Sequence, residues 1–231
     1  MVKRSGKSDK KQQPLIVVAG EGDYDREVLR HLLPALLPVP HLKVVPIRGD
    51  KTDLSKADRQ LSPRVEKLRR LAQAMAVKER ARLMGIVVHV DFDAVIDERY
   101  HSTRERISEE LARAFSAQCE SALALAVSST EGWLMLFPEA FPEVNKGWRL
   151  PDNICHRDLG KIGDAKKHLK TILKQPAYSE SDAPDLMRKA VAVMREHQRA
   201  GRKDGLDITN PKGKNQSYTD FVRDLGGWKT S

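Results

Sequence analysis

Six consecutive residues, Gly85-Ile86-Val87-Val88-His89-Val90, followed at once by Asp91-Phe92-Asp93, set the tightest limit on what this chain can fold into. A run so short makes no stable helix of its own, and its β-branched residues crowd a helix while fitting a pleated surface. Because the apolar positions are consecutive rather than alternate, both faces need cover, which is the condition of a central strand in a parallel sheet.

The run Leu15-Ile16-Val17-Val18-Ala19, opened by Pro14 and closed by Gly20, reads the same way. After the turn Gly20-Glu21-Gly22-Asp23, the residues Val28, Leu29, Leu32, Leu33 and Leu36 recur at helical spacing, with Asp23 the expected N-cap. A second strand is expected over residues 43–47, a polar loop over 51–61, and a helix from Ser62-Pro63 to about Arg82. The pattern continues with a helix over residues 104–118, a strand over 122–127 and an apolar turn over 132–137. Such alternation predicts an α/β fold, a parallel sheet of about four strands with helices on both faces.

Beyond Pro142 the chain turns basic and helical, over residues 165–173, 183–198 and 218–225, with a Gly/Lys/Asn stretch over 201–216. A length of 231 residues suits one full domain carrying an extension. The expected organisation is a basic disordered tail (1–13), a catalytic domain (14–137) and a basic helical extension (138–231) packed on the same domain.

The formal charge of +9 is unevenly spread: residues 1–13 hold five Lys/Arg against Asp9, and residues 146–174 hold eight against three Asp. Such clusters suit a polyanion such as nucleic acid, although a solvated basic surface accounts for them as well. No apolar run approaches the roughly 18 residues of a membrane span, so no membrane partner is expected. The polar N-terminus has no secretory core, and Cys119 and Cys155 are too few for a disulfide framework or a closed zinc site. A cytoplasmic protein is expected.

In a parallel α/β sheet, reactive groups gather at the carboxyl edge of the strands. Here the first strand leads to Glu21, with Asp25 one helical turn on; the third leads to Asp91 and Asp93; the fourth leads to Glu131. Neighbouring strand ends lie within roughly 5–10 Å of each other, so five carboxylates should converge, and crowded carboxylates need cations. Oxygen ligands suit Mg2+ or Mn2+, and two such ions can serve phosphodiester hydrolysis. Taken singly, Glu21-Gly22 is also an ordinary tight turn, Asp25 a favourable charge at a helix start, and Glu131 an ordinary polar residue before a helix. Asp91 and Asp93, two apart on an extended chain, should point the same way.

Glu21-Gly22-x-x-Asp25 after the first strand and Asp91-x-Asp93 after a later central one, with βα alternation between them, resemble a TOPRIM domain over residues 14–135. Glu131-Gly132-Trp133-Leu134 and Ala165-Lys166-Lys167-x-Leu169 resemble segments of the OLD (overcoming lysogenization defect) nuclease family and its small stand-alone relatives. The resemblance implies a TOPRIM-type, metal-dependent endonuclease acting on nucleic acid, DNA in the first instance. It implies that Glu21, Asp25 and Glu131 bind one metal, that Asp91 and Asp93 bind the other, and that Lys166 stabilises charge at the scissile phosphate. Glu21, Asp91, Asp93 and Lys166 would then be the catalytic set. Lys161 and Lys167 are alternatives for the lysine role, and with Lys170 they equally suit phosphate-backbone binding. Gly132 departs from the family's usual alanine, and Val127 stands where larger members place an extra acid. The chain has no GxxxxGK[ST] motif, so the likeness implies an ABC-type ATPase partner encoded nearby and, by analogy, a role in phage or plasmid defence.

Three rival readings remain open. Gly20-x-Gly22 could open a dinucleotide site, but Asp25 stands where the third glycine belongs and would repel a pyrophosphate. Asp91-Phe92-Asp93-Ala94-Val95 resembles the motif of haloacid-dehalogenase-type phosphatases, with Asp91 nucleophile and Asp93 general acid; its later acidic pair would have to come from Asp204 and Asp207, and Glu21 and Asp25 go unused. A non-catalytic, basic nucleic-acid-binding module is the third. Trp133, Leu134, Leu136 and Phe137 are expected in the core, and His89 is expected to be buried and hydrogen-bonded.

Overall fold

β1 (Pro14–Ala19) and β3 (Arg82–Phe92) form the centre of a four-stranded parallel sheet of order β2-β1-β3-β4, with β2 spanning Lys43–Pro46 and β4 spanning Glu120–Val127. The structure, a computed structural model, describes residues 12–49, 54, 59–201 and 206–229. The expected tail, up to residue 11, and most of the expected loop over 51–61 therefore lie outside the described residues, as does Asp204.

From β1 the chain steps outward through α1 (Asp23–Leu36) to β2. It then crosses back through α2 (Leu61–Lys78) to β3 and continues through α3 (Glu98–Phe115) to β4. Right-handed crossovers in opposite directions put α1 on one face and α2 and α3 on the other. The period-two alternation of the strands divides the core accordingly. Ile16, Val18, Val87 and Ala124 pack with α1, and Leu15, Val17, Val88 and Leu125 pack with α2 and α3.

The C-terminal region supplies the rest of the first face. α7 (Ala183–Arg199) lies along α1, and α8 (Gln216–Gly226) lies against β4. β4 presents Ala122, Ala124 and Ala126 to that face, small side chains that leave room for large ones opposite. The room is taken by Trp133, just past β4 in α4 (Glu131–Leu134), whose ring stacks on Phe221 at 5.3 Å and 16°. Its indole N–H donates to Ser217 Oγ at 2.8 Å. The expected burial of Trp133, Leu134, Leu136 and Phe137 holds, and the apolar core runs unbroken from Ile16 to Trp228.

Several boundaries differ from expectation for local reasons. α2 stops at Lys78 because the chain turns through Arg80, at φ 50°, and β3 has begun by Arg82. α3 begins at Glu98 because Asp97 caps it, its Oδ1 accepting from Tyr100 N at 3.0 Å. The N-cap of α1 is Gly22, and Asp23 is already inside the first turn. Gly85 lies under Trp228, whose ring would come within 2.4 Å of a Cβ there. Among the described residues, no helix is long and apolar enough to cross a membrane.

Candidate metal centre

β1 and β3 are adjacent, and the helices that follow them leave for opposite faces, which makes their carboxyl ends the switch point where α/β sheets bind ligands. Ala19 pairs with Val88, which sets Gly20 beside His89. A Cβ on Gly20 would meet His89 Cβ at 2.9 Å and Arg26 Cγ at 3.4 Å. Only glycine lets β1 leave the sheet so close to His89. Arg26, buried in α1, straps the turn by donating to the Gly20 carbonyl and to Asp23 Oδ1.

Asp25 lies in the first turn of α1, folded back over Gly22 so that a Cβ at Gly22 would sit 2.2 Å from Asp25 Oδ2. Thr130 Oγ1, in the link from β4 to α4, donates to Asp25 Oδ1 at 2.6 Å. His89 and Asp91 alternate onto the same face of β3, and Asp25, His89 and Asp91 each offer a ligand atom within 4.8 Å of the others.

His89 is 0% exposed, and neither ring nitrogen has a hydrogen-bond partner. Its Nε2 lies 3.4 Å from Asp91 Oδ1, which is also buried without a hydrogen bond. The expectation of a buried His89 holds; that of a hydrogen-bonded one does not. Burial above all pushes the Asp91 carboxyl up to about 6, with Asp25 and Glu131 pushing the same way and His89 and Lys166 opposing. Burial disfavours the charged form of a carboxyl, and the neighbouring carboxylates add to that effect. Two carboxylates and an imidazole, with buried donor atoms unsatisfied, fit a divalent metal ion.

Lys166 comes from α6 (Ala165–Ile172), which Asp164 caps by accepting from Lys167 N at 2.8 Å. Ala165 N donates to Ser128 Oγ at 3.0 Å, holding the helix start against the exit of β4. Burial lowers the Lys166 ammonium, but Glu131, Glu180 and Asp91 outweigh it and hold its pKa above the usual lysine value. Glu131 is 3% exposed, and its Oε1 accepts from the Tyr178 hydroxyl at 3.0 Å.

The other expected residues are placed differently. Glu21 is half-buried in the β1–α1 turn, outside the three-residue group. Asp93 is exposed and also outside it. β3 ends at Phe92, and the chain turns there so that Ala94 N donates back to Phe92 O at 2.5 Å. Lys161, Lys167 and Lys170 are exposed; Lys161 lies 3.9 Å from Asp158, and Lys170 lies 3.5 Å from Glu180.

Asp207 accepts from Thr209 and Asn210 in its own turn, and Asp25 covers the glycine turn a pyrophosphate would need. The residues that reading the sequence missed are His89 as a member of the cluster, Thr130 and Tyr178. His89 alone carried a signal, its spacing of two from Asp91. Comparisons with protein families, with characterised proteins and with solved structures return no match for the chain.

Proposed function

We propose that the chain is a divalent-metal-dependent nuclease that hydrolyses nucleic-acid phosphodiesters, DNA in the first instance. One observation carries the proposal: Asp25, His89 and Asp91 converge where β1 and β3 end, with the Lys166 ammonium, paired with Glu180 at 3.1 Å, near enough to interact with Asp91. Asp25, His89 and Asp91 would hold the ion, Mg2+ or Mn2+. When bound, it supplies Lewis-acid stabilisation of phosphate oxygens and a water more easily deprotonated. The gathered donors suit one ion; the two-ion arrangement expected from the sequence needs Asp93 to join them.

The remaining work falls to the protein. Thr130 fixes the orientation of Asp25. Lys166 offers positive charge to the phosphate as negative charge develops, while Glu131, steadied by Tyr178, helps keep that ammonium charged. Exposed Lys161, Lys167 and Lys170 would attract the phosphate backbone. Membership of the OLD family, an ABC-type ATPase partner, a cytoplasmic location and a role in phage or plasmid defence rest on the sequence alone.

The test is incubation with supercoiled plasmid and with p-nitrophenyl phosphate, each with Mg2+ or Mn2+, beside Asp91→Ala. Metal-dependent nicking that Asp91→Ala abolishes is expected. Nicking that survives the substitution overturns the assignment. Turnover of the small ester without nicking would favour the phosphatase, and metal-independent DNA retention without cleavage would favour the binding module.

A further inference from the structure

We propose that the imidazole of His89 makes the centre select a first-row transition ion, of which Mn2+ is the probe, over Mg2+. The inference deepens the metal-centre reading and rests on it.

Buried polar side chains almost always find hydrogen-bond partners, and leaving one without costs about 1–3 kcal/mol. His89 is fully buried with both ring nitrogens unpartnered, and its ring lies against Asp25 and Asp91 rather than among apolar groups alone. A direct N–H···O hydrogen bond would close to about 2.7–3.2 Å, whereas Nε2 and Asp91 Oδ1 stand 3.4 Å apart. Neighbouring donors on one ion, each about 2.1 Å from it at a right angle, stand about 3 Å apart. The observed gap therefore suits two ligands of a shared ion better than a direct bond.

Local construction points the same way. Glycine at position 20 permits the close approach of β1 to the His89 Cβ, and Arg26 locks that turn. The carboxylate opposite is held by Thr130. An imidazole changes which ions the site prefers: Mg2+ favours all-oxygen surroundings, while nitrogen ligands bind increasingly well along the first transition row.

The test uses the full chain. Isothermal titration compares Mn2+ with Mg2+, and pulsed electron paramagnetic resonance of the Mn2+ complex looks for nitrogen coupled to the ion. Expected are Mn2+ affinity at least about tenfold above that for Mg2+ and imidazole nitrogen modulation. In His89→Gln the nitrogen modulation and the preference for Mn2+ are lost. Binding of Mn2+ to the wild type without nitrogen modulation overturns the role of His89 and leaves an all-carboxylate centre standing. Failure of the wild type to bind either ion overturns the centre itself. The wild-type spectrum decides the role of His89 even if His89→Gln does not fold.

Discussion

Replacing Gly22 with alanine should separate the fold from the metal centre. Gly22 caps α1 in an extended conformation, φ −101° and ψ 146°, which alanine adopts without strain. The new Cβ would sit 2.2 Å from Asp25 Oδ2, more than 1 Å inside the 3.4 Å of ordinary contact. The obstacle is the tip of a rotatable side chain, so the carboxylate yields and the backbone stays. Alanine is the poorer N-cap by about 0.5–1 kcal/mol, and the stiffer unfolded chain offsets that by about 0.4–1 kcal/mol. The net change lies below about 1 kcal/mol, or less than about 4 °C in melting temperature for a chain of this size. A carboxylate displaced by about 1 Å is lost as a ligand, and Mn2+ affinity should fall by about 10- to 100-fold. Thermal melting of the metal-free protein and Mn2+ titration measure the two effects. Unchanged affinity would refute the placement of Asp25 as a ligand, and a fall of more than about 10 °C would show that the glycine serves the fold instead.

Thr130→Val keeps the shape and removes the hydroxyl bound to Asp25 at 2.6 Å; Mn2+ affinity should drop about tenfold or more, and an unchanged titration would contradict a positioning role. Trp133→Ala removes the ring stacked on Phe221 and bonded to Ser217, costing about 3–5 kcal/mol. In chemical denaturation, a loss below about 1 kcal/mol would show that α8 is held otherwise. Burial, aided by Glu120, pushes the Cys119 thiol up to about 11. The thiolate is the reactive form, so alkylation of Cys119, followed by peptide mass spectrometry, should be slow at pH 7.5 and rise about tenfold per pH unit towards that value. A plateau near pH 8.5 would contradict it.

The sheet was legible because β1 and β3 are apolar at consecutive positions, a pattern that only two-sided burial explains. The start of α3 was missed because its first turns are polar and the cap at Asp97 precedes the apolar face of Ile107 and Leu111. The left-handed turn at Arg80 carries no glycine to announce it. Asp25 and Asp91 could be placed together because both lie at the carboxyl ends of neighbouring strands, Asp25 just past β1 and Asp91 next to last in β3. Asp93 could not, since whether a strand runs one residue further depends on its neighbours. The state of His89 was illegible for a deeper reason: that it lacks a partner follows from everything packed around it. Likewise the Thr130–Asp25 bond spans 105 residues, and the role of Trp228 appears only when it lies over Gly85. A single chain records the residues but not such meetings.

Diffraction from crystals soaked in Mn2+, with data collected for the anomalous signal of the metal, addresses the proposed centre most directly. The expected result is one strong peak about 2.0–2.3 Å from oxygens of Asp25 and Asp91 and from a ring nitrogen of His89. A peak held instead by exposed Asp93, or none at millimolar Mn2+, would contradict it.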